Sequence, residues 1–159
     1  MNFGLEPRTR LAARPSNGRD PIENPMAAPV VLMLDGDVGF MFALSQELTA
    51  RYISAYPART VREARSMLQR FRLAPDVLVI DCTVPGACSF AEGVAEQLGS
   101  LGIIGIVSAG HQCKECAELL AKTLSKSDVT SPERIPYCAD VIQALLRRAL
   151  GHNGHANAN

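Results

Sequence analysis

The sequence predicts a doubly wound α/β domain with a five-stranded parallel sheet and five helices. Short apolar runs of strand length alternate with stretches in which apolar residues recur at helical spacing. The run 77–80 is apolar and rich in β-branched residues, and it ends at Asp81 just before a Pro-Gly turn signal. Such a run is typical of a strand buried on both faces. This alternation over residues 29–150 favours parallel strands joined by helical crossovers.

Five strand candidates are separated by helix candidates along the chain. The strand candidates lie at 30–34, 53–57, 77–80, 103–107 and 123–125. The apolar stripes that predict the helices are Met41, Leu44 and Leu48; Val61, Ala64, Leu68 and Phe71; Phe90, Val94 and Leu98; Cys116, Leu119 and Leu120; and Val141, Leu145 and Ala149. Two pairs, Thr60 with Glu63 and Ser89 with Glu92, have the spacing of capping boxes and predict helix starts.

Composition indicates one folded domain between two tails. The chain has 159 residues, of which 47% are hydrophobic, and half of its ten prolines fall within the first 29 positions. We predict a disordered leader at 1–28, the folded domain at 29–150 and a disordered tail at 151–159. No output domain follows the predicted domain, so we expect it to act as a stand-alone unit.

The charge balance argues against nucleic acid or an anionic membrane as the main partner. The 16 basic and 16 acidic residues give a formal net charge of zero. No apolar run has the length that crosses a bilayer, and the first residues lack the apolar core of a signal peptide. We therefore expect a cytoplasmic protein. The absence of a G-x-G-x-x-G or P-loop pattern argues against a nucleotide-binding domain.

The cysteines allow two interpretations. There are five, an odd number scattered through a chain long enough to form its own core, so we expect reduced thiols and no disulfide framework. Cys113 and Cys116 have C-x-x-C spacing, and Cys82 and Cys88 lie on a neighbouring loop. A sensor that binds zinc or forms a Cys113–Cys116 disulfide is one alternative, although zinc needs a fourth ligand. The simpler interpretation is that buried cysteines act as small hydrophobic residues.

Polar side chains follow four of the five strand candidates, at the end of each strand. Asp35 and Asp37 follow the first, Asp81 the third, Ser108 the fourth and Lys126 the fifth. The carboxyl ends of parallel strands meet at one edge of the sheet. Carboxylates converging there repel one another unless a cation lies between them, and Mg²⁺ prefers such oxygen ligands. A hydroxyl and a lysine can bind phosphate oxygens, and a carboxylate can accept a phosphoryl group. The sequence thus predicts Mg²⁺-assisted phosphorylation of Asp81.

At these residues the chain resembles the receiver domains of two-component response regulators, which have the flavodoxin-like form of the doubly wound fold. The resemblance covers 29–150 and rests on VVLMLDGD at 30–37, PDVLVIDCTVPG at 75–86, GIIGIVSAG at 102–110 and SKSD at 125–128. It implies that Asp81 is the phosphoacceptor. It also implies that Asp35 and the backbone carbonyl of Thr83 hold Mg²⁺ beside Asp81, and that Ser108 and Lys126 bind the phosphoryl group. Asp37 lies two residues from Asp35, so an extended strand would point both side chains the same way, and we expect Asp37 to reach the metal directly or through water.

The resemblance implies a single-domain response regulator that is not an enzyme beyond its own phosphorylation. The expected partners are a histidine kinase or phosphotransfer protein, as donor, and a downstream protein target; a homodimer is left open. Two departures favour an alternative, a phosphorylation-independent pseudo-receiver that acts as an interaction module. Gly36 stands where the family has a second acid beside Asp35, and Thr123 where it has an aromatic switch residue.

Overall fold

The computed structural model describes residues 27–152, so most of the predicted leader and tail lie outside the described residues. The five strands form one parallel sheet in the order β2-β1-β3-β4-β5. They are β1 (Val30–Leu34), β2 (Ser54–Ala58), β3 (Val77–Asp81), β4 (Gly102–Val107) and β5 (Lys122–Ser125). The prediction of a five-stranded doubly wound sheet is confirmed.

Between residues 27 and 152, five α-helices accompany the sheet. They are α1 (Val38–Ala50), α2 (Val61–Phe71), α3 (Ala87–Leu98), the one-turn α4 (Lys126–Val129) and α5 (Ile135–His152). Within the described part of the chain, none of these helices combines the length and the apolar character that crossing a membrane requires.

The sheet has a separate hydrophobic core on each face. Because side chains alternate along a strand, Val77 and Val79 of β3 pack on the face covered by α1 and α5, whereas Leu78 and Ile80 pack on the face covered by α2 and α3. All five residues of β3 are buried. The central strand is therefore held on both faces, and the residue at its carboxyl end has a fixed position.

The two predicted capping boxes have different outcomes. Thr60 is the N-cap of α2, and its hydroxyl accepts the backbone N–H of Glu63 at 3.2 Å, as predicted. The prediction at Ser89 is wrong because α3 begins two residues earlier, at Ala87. Gly86 precedes it in a left-handed conformation, with φ of 77°, which turns the chain into the helix without a side-chain cap.

The predicted fourth helix between β4 and β5 is also wrong. That segment contains a single 3-10 turn at Ala117–Leu119, and α4 instead follows β5. Leu120 reaches the sheet over Gly105, where an added Cβ would lie 2.6 Å from a Leu120 methyl carbon. Cys113 and Cys116 turn into the core on the α2–α3 face. The three inward positions, at i, i+3 and i+7, have the spacing of a helical stripe, so local spacing alone does not distinguish this loop from a helix.

Replacing Thr60 with alanine is expected to lower the free energy of unfolding by about 1 kcal/mol, because the Glu63 N–H loses its acceptor. Chemical denaturation followed by circular dichroism measures this change. Thr49→Ala is the matched control, since Thr49 is exposed near the end of α1. Equal losses in the two variants would contradict the capping role.

Candidate functional site

The candidate site lies at the carboxyl edge of the sheet, where β1 and β3 end side by side. Asp35 directly follows β1, and Asp81 is the last residue of β3. The chain leaves β1 toward the face of α1 and leaves β3 toward the face of α3. This is the topological switch point, at which open α/β sheets bind ligands. Among the described residues, Asp35 and Asp81 are the buried charged ones, at 1% and 2% exposure.

Lys126 joins the two carboxylates. It is the first residue of α4, directly after β5, and its side chain reaches across the end of β4. Nζ donates to Asp35 Oδ1 at 3.0 Å and to Asp81 Oδ2 at 2.5 Å. With all three groups ionised, the cluster has a net charge of −1, so the lysine only partly offsets the repulsion between the carboxylates.

Thr83 fixes the orientation of the Asp81 carboxylate. Its backbone N–H and its hydroxyl both donate to Asp81 Oδ1, at 2.8 and 2.6 Å. Oδ1 is thus held by Thr83 and Oδ2 by Lys126. The observed contacts of Thr83 come from its donors, and metal binding by its carbonyl oxygen stays a prediction.

The two carboxylates have pKa values shifted in opposite directions. Burial is the main influence on Asp35 and raises its pKa, and the hydrogen bonds from Asp37 N–H and Lys126 only partly oppose it. Burial also opposes ionisation of Asp81, but the hydrogen bonds from Lys126 and Thr83 outweigh it, so the pKa of Asp81 is lowered. For Lys126, burial disfavours the charge, yet its two carboxylate partners raise its pKa. Asp81 therefore remains ionised to lower pH than Asp35.

One oxygen of the Asp35 carboxylate accepts no hydrogen bond from the described residues. Its Oδ1 accepts Asp37 N–H at 2.8 Å and Lys126 Nζ, whereas its buried Oδ2 has no hydrogen-bond partner among the described residues. A buried carboxylate oxygen without a partner lowers stability unless a cation or water reaches it. The donor set of carboxylate oxygens from Asp35 and Asp81 suits a small hard cation, and this oxygen is free to bind one.

Asp37 has a structural contact of its own. β1 ends at Leu34, so the extended strand that would point Asp35 and Asp37 the same way does not continue. Asp37 is instead the N-cap of α1 and accepts Phe40 N–H at 3.0 Å. Gly36 between them is exposed, and a Cβ added there would meet nothing within 4 Å. A metal-binding role for Asp37 remains a prediction.

A cavity of about 440 Å³ opens beside Asp81. Its lining residues are Gly36, Asp37, Arg59, Thr60, Val61, Asp81, Thr83, Val84, Pro85 and Lys126. Arg59 and Thr60, which follow β2, were not predicted as site residues. Residues just after a parallel strand reach the same edge of the sheet, so the end of β2 indicates them. Arg59 adds a second basic residue to the wall of the cavity that Asp81 also lines.

Ser108 lies outside this hydrogen-bonded cluster. It follows β4 at the same edge of the sheet, but it does not line the cavity beside Asp81. Its carbonyl oxygen accepts His111 N–H at 3.0 Å and closes a turn. The predicted phosphoryl contact of its hydroxyl therefore remains a prediction.

A second group of reactive side chains, formed by cysteines, involves the loop after β4. Cys82 and Cys113 form a disulfide, so the expectation of reduced thiols throughout is wrong, and so is the pairing of Cys113 with Cys116. The fold brings the loop after β4 against the end of β3, and the Cα atoms of this pair lie 5.8 Å apart, within disulfide range. Cys116 Sγ lies 3.2 Å and Cys88 Sγ 3.5 Å from Cys113 Sγ.

No protein-family model matches the sequence, and no curated protein matches it significantly. Solved structures do match. A CheY-like receiver domain from Methanospirillum hungatei has a TM-score of 0.65 at 12% identity, over 79% of this chain and 99% of that structure. The REC domain of AraT, a response regulator from Geobacillus stearothermophilus, gives 0.62 at 19% identity, over 77% and 98%. A response regulator from Thermotoga maritima gives 0.62 at 14% identity, over 76% and 99%. The chain thus has the fold of response-regulator receiver domains, as its motifs predicted.

Proposed function

We propose that this chain is a receiver-type signalling domain that accepts a phosphoryl group on Asp81. The observation that supports this most is the position of Lys126, whose Nζ contacts Asp35 and Asp81 together at the edge of an open cavity. The donor would be the phosphohistidine of a histidine kinase or phosphotransfer protein. The solved structures of the same fold are receiver domains and response regulators, which favours a role in two-component signal transduction.

Mg²⁺ is the cofactor that the oxygen-rich donor set would hold. Asp35 would supply its unpartnered Oδ2, and Asp81 would supply a carboxylate oxygen. Thr83 would add its carbonyl oxygen, and Asp37 lies on the cavity wall within the same loop. When bound, the ion would offset the negative charge of the incoming phosphoryl group.

The transfer would move the phosphoryl group from the donor histidine to Asp81. A carboxylate oxygen of Asp81 attacks the phosphorus atom, a P–O bond forms, and the P–N bond to the donor histidine breaks. The electron pair of the broken bond stays on that ring nitrogen and, because the other ring nitrogen of the phosphohistidine carries a proton, the leaving group is neutral imidazole. The ammonium of Lys126 and the guanidinium of Arg59 would offset the charge of the phosphoryl oxygens. Ser108 would donate its hydroxyl after a change in the loop that carries it.

The output would be a change in affinity for a downstream protein. With its formal net charge of zero, the chain offers no general attraction for nucleic acid or anionic lipid. In this proposal the chain is not an enzyme beyond its own phosphorylation and acts through protein–protein contacts, with homodimer formation left open.

A second candidate function is an interaction module that keeps the fold and does not depend on phosphorylation. Two features favour it. Because Gly36 stands in place of the second acid, the site has one carboxylate fewer than the resemblance implies. Thr123, at the position of the expected aromatic switch, is exposed on β5 and has no ring to follow a change at Ser108.

Beryllofluoride, which mimics an acyl phosphate, separates the two candidates when it is added with Mg²⁺ and followed by amide NMR. The first function predicts shifts at Thr83, Lys126 and the loop after β4 that are absent in Asp81→Asn. Asp128→Asn is the matched control, since Asp128 is an exposed acid on α4, and it should respond like the wild type. No response of the wild type at millimolar Mg²⁺ would overturn phosphorylation and leave the interaction module.

A further inference from the structure

Four of the five cysteine sulfurs meet in one cluster on the α2–α3 face of the sheet, where Cys88, Cys113 and Cys116 are buried and Cys82 is partly buried. Cys113 is at its centre, bonded to Cys82 and in contact with Cys116 and Cys88 at 3.2 and 3.5 Å. The sulfurs of Cys82, Cys113 and Cys116 all lie within 4.8 Å of one another. In a tetrahedral zinc site with Zn–S bonds of about 2.3 Å, neighbouring sulfurs are about 3.8 Å apart. Cys88 lies outside this group of three, so a four-sulfur site requires the Cys82–Cys113 bond to open and the Cys88 side chain to move.

The four cysteines come from three segments that the fold holds in place. Cys82 directly follows β3, Cys88 is the second residue of α3, and Cys113 and Cys116 lie in the loop between β4 and β5. Cys116 is 2% exposed, Cys88 8% and Cys113 9%, whereas Cys82 is half-buried and lines an open cavity together with Cys88 and Cys113. Four protein ligands would close the coordination shell, as in structural zinc sites.

The convergence of the sulfurs favours a cation as their shared ligand. Packing as a small hydrophobic residue accounts for Cys138, which lies alone on the opposite face, but it does not explain why four sulfurs converge.

We propose that the reduced chain binds one Zn²⁺ through the sulfur atoms of Cys82, Cys88, Cys113 and Cys116. The disulfide uses two of these ligands, so the metal-binding form requires its reduction. A dithiol or phosphine reductant supplies two electrons, the S–S bond breaks, and two protons from water complete the thiols. Zinc then displaces the four thiol protons. This proposal does not depend on phosphorylation of Asp81.

His111 is the competing ligand. It lines the same cavity as Cys82, Cys88 and Cys113, and it is exposed. A site of three cysteines and His111 would leave one cysteine unused, so single variants distinguish the two ligand sets.

The test uses the full chain, reduced by a phosphine without oxygen and titrated with zinc chloride. Native mass spectrometry is expected to find one zinc ion per chain, and competition with a chromophoric chelator gives its affinity. Loss of an outer-shell partner costs about 10- to 100-fold in metal affinity, so Cys88→Ser and Cys116→Ser, which each remove a ligand, should cost more than that. Cys138→Ser is the matched control and should bind like the wild type, as should His111→Ala.

Cobalt replaces zinc as a spectroscopic probe and needs no variant. Four thiolates predict strong sulfur-to-cobalt charge-transfer bands together with the visible bands of tetrahedral cobalt. The proposal is overturned if the reduced wild type binds no zinc, or if its cobalt spectrum lacks thiolate bands. It is also overturned if His111→Ala loses affinity while Cys88→Ser keeps it. Should a cysteine variant fail to fold by circular dichroism, the wild-type cobalt spectrum decides the question.

Discussion

Replacing Lys126 with methionine is expected to lower the free energy of unfolding by about 2–3 kcal/mol at neutral pH. The ammonium is the shared partner of two carboxylates that are almost fully buried. Methionine keeps most of the side-chain volume and removes the charge, so both acids would remain buried without it. The lysine side chain is 24% exposed, so solvent reduces the loss below that of a fully buried ion pair.

The pH dependence follows from the pKa directions. The lowered pKa of Asp81 means that its carboxylate stabilises the fold above the unfolded value of about 3.9, and that this contribution is lost as pH falls through the folded value. The raised pKa of Lys126 adds stability that is complete below about 10.4 and is lost as pH rises through the folded value. The raised pKa of Asp35 acts against Asp81, since its ionisation costs stability as pH rises.

In Lys126→Met, both acids lose the partner that favours their charged forms. Protonation relieves the unpaired charge, so the deficit should be larger near pH 7 than near pH 4, where wild-type Asp81, with its lowered pKa, keeps part of its ionised contact with Lys126. Urea denaturation at both pH values measures it. Lys122→Met, at an exposed lysine of β5, is the control and should change stability little. A deficit of the same size at both pH values would mean that lost packing, and not the charge of Lys126, is responsible.

Replacing Gly36 with aspartate is expected to raise the affinity for Mg²⁺ roughly tenfold. A carboxylate about 4 Å from a divalent ion contributes about 2 kcal/mol even at the dielectric constant of water, and salt screening reduces this. The substitution is sterically open, because a Cβ at Gly36 meets nothing within 4 Å, and its φ does not lie in the left-handed region.

A magnesium titration followed by amide chemical shifts measures this gain. Gly93→Asp is the matched control, since it adds the same charge on α3 at a position that is equally open. The gain should be specific to Gly36→Asp and should disappear when Asp35→Asn is added. An equal gain in Gly93→Asp would show that the added charge acts at long range and that Gly36 has no place in a metal site.

The position of the candidate site could be predicted because strand direction alone decides it. Once Asp35, Asp81 and Lys126 were assigned to the ends of parallel strands, the sheet had to bring them to one edge. Their hydrogen bonds could not be predicted, since these depend on side-chain reach across β4. Arg59 was missed because β2, with Pro57 in it, gave a weak strand signal whose end was not considered.

The region between β4 and β5 could not be predicted from periodicity. Cys116, Leu119 and Leu120 have the spacing of a helical stripe. In the structure, however, Leu120 packs on the sheet and Cys116 lies in the cysteine cluster. Contacts between residues distant in sequence decide the conformation of this segment, and local spacing does not indicate those contacts. The Cys82–Cys113 disulfide, whose cysteines are separated by 31 positions in sequence, also depends on such distant contacts.

The alternation of side chains after β3 has an evolutionary consequence. Asp81 bonds to Lys126 and to the Thr83 hydroxyl, whereas Cys82, between Asp81 and Thr83, bonds to Cys113. The acidic site and the cysteine cluster share this backbone segment, but no side chain belongs to both. A lineage could therefore lose the cysteines and keep the acidic site, or do the reverse, by single substitutions that do not disturb the neighbour. We expect related sequences to contain the two sets of residues in all combinations.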